Sequence, residues 1–210
     1  MILIALGVPL LISLLLTRGD TRRFVGFLTL GLLCAVLAVN INAYLFVASG
    51  MDTQEVTIKL TPIAEEGLKA IPVLFYVAWT HPKRSGFVAV SLACGLGFAI
   101  YENCYFLMVN TAPDLIFVLV RGFAAGVMHA VCALLLGYGL TSLGERYRYM
   151  IIPGSVGLYC VVTVVHATYN LLISAPGAWS YAGYLLPMAL ALALFIWVRH
   201  SPQNASHDQG

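Results

Sequence analysis

Apolar residues in this chain run together in long blocks, and most polar residues fall in the short gaps between them. A helix needs about 20 mainly apolar residues to cross the hydrocarbon core of a bilayer. Seven stretches meet or approach that length: 2–16, 24–49, 62–79, 86–109, 115–140, 150–173 and 181–198. The pattern predicts an all-α fold, a polytopic membrane bundle of about seven transmembrane helices. The first stretch is short, but no Lys or Arg precedes it and no small-residue cleavage site follows, which favours a helix over a signal peptide.

Composition agrees: 60% of residues are hydrophobic and 10% charged, with a mean hydropathy of +0.90. No Gly/Ser linker, charge run or internal repeat divides the chain, so one domain over residues 1–200 is expected. Its motif-bearing part spans about 62–172, and a polar, disordered tail follows at 201–210. The net charge of +2 is too small, and the basic residues too scattered, to suggest nucleic acid. All five cysteines lie in apolar stretches without a CxxC pair and read as small core residues.

Alternating the loops of a seven-helix chain puts Arg18, Arg22, Arg23, Lys83, Arg84, Arg146, Arg148 and Arg199 on one side, and only Lys59 on the other. The basic side is expected to be cytoplasmic, with the N-terminus outside and the tail inside. Dropping one internal crossing would scramble that sorting.

Against this background seven ionisable residues stand out within the apolar stretches: Glu65, Glu66, Lys69, Glu102, Arg121, His129 and His166. One charge at the bilayer centre costs at least about 2.5–3.5 kcal/mol, so the set needs mutual compensation and points to function. Glu102 and His166 fall about seven residues, roughly 10 Å, below the outer ends of their helices. Glu65, Glu66 and Arg121 fall at similar depth, and His129 about two turns deeper. Lys69 can meet Glu65 at i+4 or Glu66 at i+3, and His166 and Asn170 share a face at i and i+4. Arg121 and His129, eight apart, share a broader one.

The strings AEEGLKAIP (Glu65, Glu66, Lys69), GFAIYENCYF (Phe98, Glu102, Asn103), RGFAAGVMH (Arg121, His129) and the HxxxN of His166 and Asn170 resemble, in this order, the PrsW intramembrane proteases. The resemblance leaves the first two helices and the last one unconstrained. It implies cleavage of membrane-anchored regulators such as anti-sigma factors near the extracytoplasmic side of a bacterial plasma membrane. The distantly similar CAAX prenyl proteases carry His where this chain has Glu102, so their mechanism does not transfer unchanged.

Peptide hydrolysis needs an activated water, a stabilised oxyanion and a proton for the leaving amine. In a metal-free version Glu65 or Glu66 is the base, with His166 and Asn170 at the oxyanion. In a zinc version Glu102, His129 and His166 bind Zn2+ and a Glu of the pair is the base. Three close carboxylates repel one another, which a divalent cation or one shared proton would relieve. Lys69 and Arg121 read equally well as structural ion-pair partners. A proton- or ion-coupled transporter would also line a cavity with such residues, but commonly shows repeated halves or broken helices. A non-catalytic scaffold of related fold would have no need of the full Glu/His set.

Overall fold

The computed structural model describes residues 2–80, 84–110, 114–146 and 151–200; Lys83, Arg148 and the tail at 201–210 lie outside them. The elements are α1 (Ile2–Leu16), α2 (Gly19–Ser49), α3 (Thr53–Lys59), α4 (Thr61–Thr80), α5 (Arg84–Val109), α6 (Leu115–Val120), a π-helical turn (Arg121–Ala125), α7 (Gly126–Arg146), α8 (Ile151–Ser174) and α9 (Ala178–His200). No strand occurs among the described residues. Five segments are long and apolar enough to span a bilayer: Gly19–Ser49, Arg84–Val109, Val118–Ser142, Ile152–Ser174 and Ala178–Arg199. The other two expected spans are helical as well, but α1 has only 15 residues and the 20 residues of α4 include Glu65, Glu66 and Lys69.

The burial pattern is the reverse of a water-soluble protein's. Leu16, Val47, Trp79 and Ile152 are 78–80% exposed, whereas Glu65, Glu66, Lys69, His129 and His166 are at most 4% exposed. Apolar side chains facing outward from a charged interior suit lipid and not water as the solvent. The chain is a helical membrane bundle.

Small residues set the helix spacing. A Cβ on Gly31 would collide with the Cys94 carbonyl oxygen, and one on Gly97 with that of Leu28, so α2 and α5 meet backbone to backbone. On the opposite face of α5, a Cβ on Gly95 would lie 2.6 Å from Ala133 Cβ and 2.8 Å from the His129 carbonyl oxygen. That contact draws α7 against α5 just below Glu102. Gly137 and Gly139 of α7 are similarly crowded, by Ser91 and Leu158. Gly122 and Gly126 are not: nothing lies within 4 Å of a Cβ at Gly122, and the nearest atom to one at Gly126 is 3.8 Å away. They belong to and follow the π-helical turn, where the chain's irregular winding rather than close packing is the local feature.

One element was not expected. The α2–α4 connection contains α3, whose N-cap Asp52 accepts from the Glu55 backbone N–H at 2.8 Å. The spacing Asp-x-x-Glu at Asp52 and Glu55 is that of a capping box, a signal legible in the sequence.

Candidate active site

Helix α4 opens with Thr61 and Pro62 and brings Glu65, Glu66 and Lys69 into the interior together. Glu66 Oε1 accepts from Lys69 Nζ at 2.6 Å, the i+3 pairing that a helix surface allows. The same oxygen lies 2.7 Å from Nδ1 of His166 on α8. Glu65 faces another way: its Oε1 accepts from Asn42 Nδ2 on α2 at 3.0 Å. Its Oε2, 3.9 Å from His166 Nε2, is buried without a hydrogen-bond partner.

From Lys69 the contacts continue to α7. Lys69 Nζ lies 3.0 Å from His129 Nδ1, and His129 Nε2 lies 2.6 Å from Glu102 Oε2. Arg121 closes the far end at 3.0 Å from Glu102 Oε1. An ammonium has hydrogens to give and no lone pair, so Nδ1 of His129 accepts from it. Nε2 then carries the proton and donates to Glu102. Phe98, one turn before Glu102, supports this chain from below: its ring centre is 4.8 Å from Lys69 Nζ and 5.0 Å from that of His129.

The π-helical turn explains how one segment supplies both partners of Glu102. At roughly 100° per residue, eight steps of α-helix would leave Arg121 and His129 roughly 80° apart around the axis. A π-turn absorbs one extra residue, so the pair behaves as about seven apart and comes nearly into line. His129 is expected about two turns deeper than Arg121. Eight residues amount to roughly 12 Å of rise, and the long Arg121 side chain reaches along it, so Glu102 sits between the two. The Arg121 guanidinium also stacks on Phe106, 3.5 Å from the ring centre.

A cavity of about 480 Å³ opens beside this network. Its wall includes Asn42 and Phe46 of α2, Thr53 and Thr57 of α3, Glu65, Glu102, Arg121 and Asn170. All lie toward the same ends of their helices, on the side of the α2–α4 connection and opposite the basic loops. Asn170, expected as an oxyanion donor, is on the wall, but its Nδ2 donates to the Thr57 carbonyl at 2.9 Å and so ties α8 to α3.

The sequence-derived residues therefore converge, with one change of partner. Among the described residues, the group whose ligand atoms all lie within 4.8 Å of one another is Glu65, His129 and His166. Glu102, the carboxylate expected in that trio, is not in this group and bonds His129 Nε2 at 2.6 Å. Sequence reasoning missed Asn42 altogether. Asn40 and Asn42 are both isolated amides in an apolar run, and nothing in the sequence separates Asn40, whose Nδ2 returns to Val36 on its own helix, from the one that reaches Glu65.

A buried Glu/Lys/His network beside a cavity, in a bundle facing lipid, marks a functional site. The model of the PrsW family of intramembrane metalloproteases matches residues 20–198. The chain belongs to that family. No curated protein and no solved structure matches it. Membership of the PrsW family makes the protein an intramembrane protease, embedded in a bilayer and acting on a membrane-embedded protein.

Proposed function

We propose that this protease cleaves a membrane-anchored regulatory protein, such as an anti-sigma factor, near the extracytoplasmic face, at the cavity beside Glu65 and Glu102. One observation carries the reading: the succession Asn42, Glu65, His166, Glu66, Lys69, His129, Glu102, Arg121 links five helical segments, and its two ends, Asn42 with Glu65 and Glu102 with Arg121, line one cavity. Pairing alone would account for buried charges. It would not call for two histidines between three carboxylates, or for room beside them.

Glu65, His129 and His166 are proposed to hold a divalent cation, zinc by the chemistry of the donor set, since two imidazoles and a carboxylate are a common catalytic zinc shell. The orphaned Glu65 Oε2 supports the fit. So does charge: three carboxylates meet only two fixed cations, Lys69 and Arg121. His129 Nδ1, now 3.0 Å from Lys69 Nζ, would serve as a ligand with that ammonium displaced, and its Nε2–H bond to Glu102 would then be the carboxylate–histidine support usual around zinc. When bound, zinc would acidify water and polarise the scissile carbonyl. Of the chain's own residues, Glu102 takes the proton of the attacking water, water oxygen bonds to the carbonyl carbon, and the C–N bond breaks as the amine receives that proton. Arg121 donates toward the developing oxyanion. Glu66 fixes His166 through Nδ1–H, and Asn170 holds α3 over the cavity.

A metal-free reading is favoured by one observation, that Lys69 already places a cation at His129 Nδ1. Glu65 is then the base, through Oε2. Metal analysis of purified protein, with cleavage of a single-span substrate before and after chelation, separates the two. Zinc at one per chain and chelator-sensitive cleavage support the metal reading; undiminished cleavage by metal-free protein supports the glutamic one.

A further inference from the structure

Helix α2 carries no part of the site read from the sequence, yet it supplies the hydrogen bond that Glu65 receives from Asn42. We propose that Asn42 is a positioning residue for the metal centre: by holding Glu65 Oε1, it aims Oε2 at the space between His166 and His129 and raises the site's affinity for zinc. The inference rests on the metal reading above.

The two halves of the Asn42 amide argue for this role. Nδ2 donates to Glu65 across 23 residues of sequence, while Oδ1 is buried with no partner. An unsatisfied buried carbonyl is destabilising, so an aliphatic side chain would serve packing better. What the aliphatic residue could not do is donate. Asn40, two residues away on the exposed side, is the contrast: its amide folds back to Val36 at 2.8 Å.

The carboxylate gives the complementary argument. Of its two oxygens, Oε1 is committed to Asn42 and Oε2 is left without a donor, 3.9 Å from His166 Nε2. A glutamate has three side-chain torsions, and without the Asn42 bond no donor distinguishes its two oxygens. With it, one oxygen is held back and the other presented. That is the work of partners outside the ligand shell, whose loss typically lowers metal affinity about 10–100-fold.

The test measures zinc affinity of the full-length protein in nanodiscs by competition with a chromophoric chelator at one pH, with no substrate present. Asn42→Ala and the volume-preserving Asn42→Leu should each bind zinc 10–100-fold more weakly than wild type. Asn40→Ala should match wild type. Thermal unfolding of the metal-free proteins, run in parallel, should be no lower for Asn42→Leu than for wild type, which separates lost positioning from lost folding. Wild-type affinity in both Asn42 variants overturns the proposal while leaving the metal reading intact. Absence of stoichiometric zinc from the wild type itself overturns the metal reading, and the proposal with it.

Discussion

Glu102 and His129 are 27 residues apart in the chain and 2.6 Å apart in space, with the carboxylate accepting from the ring's Nε2. Arg121 holds the other oxygen of the same carboxylate. One glutamate on α5 is thus gripped twice by the segment that follows it, and it remains on the cavity wall. Its proposed role as proton acceptor gives the first prediction. Glu102→Gln keeps the shape and removes the negative charge, and should leave a folded protein whose cleavage of a single-span substrate falls ~10²-fold or more. Size-exclusion behaviour checks the fold; cleavage near the wild-type rate would remove Glu102 from the machinery.

Removing an imidazole should empty the metal site. His166→Ala and His129→Ala are each expected to lower bound zinc well below one per chain, as measured by elemental analysis, and zinc added after chelation should restore activity only to the wild type. Glu66→Gln tests the support of His166 from outside the trio. It should weaken zinc binding about 10–100-fold without abolishing it.

Asn170 separates two roles by two measurements. If it latches α3 through Thr57, Asn170→Leu should speed hydrogen exchange across Thr53–Lys59 while bound zinc stays at the wild-type level. An oxyanion donor would instead lower kcat and leave exchange in α3 unchanged.

Gly95→Ala should act on the site through packing. The added methyl meets the His129 carbonyl and Ala133 Cβ, so α7 must move away from α5 and carry His129 from Glu102. Overpacking of this kind costs about 1–3 kcal/mol, and both unfolding temperature and cleavage should fall. Gly122→Ala, facing open space in the π-helical turn, should unfold no lower than the wild type.

The direction of cleavage follows from loop charge. The cavity opens opposite the basic loops, so a membrane-anchored substrate should be cut in the outer part of its span or just outside it. Mass spectrometry of the product termini reads this out; a cut on the cytoplasmic side would show that the orientation is inverted.

Much of the architecture is legible in the sequence, because a bilayer imposes a length and a hydrophobicity on every spanning helix and makes each buried charge conspicuous. Glu65, Glu66, Lys69, Glu102, Arg121, His129 and His166 could be picked out for that reason alone, and they do meet in space. Who pairs with whom was beyond reach. The i+3 and i+4 options left Lys69 open to either glutamate; helix rotation gives it Glu66 and turns Glu65 toward α2. The alignment of Arg121 with His129 depends on a π-turn, which hydrophobic blocks do not encode because its apolar residues suit an α-helix equally well. Asn42 joins the site through the packing of α2, which Gly31 and Gly97 let touch α5 at the backbone and which brings the amide to Glu65 of α4. Length and solvent determine that a helix exists, and they are properties of the sequence itself. Its rotation, register and neighbours come from contacts between residues far apart in the chain, and those exist only once the bundle has packed.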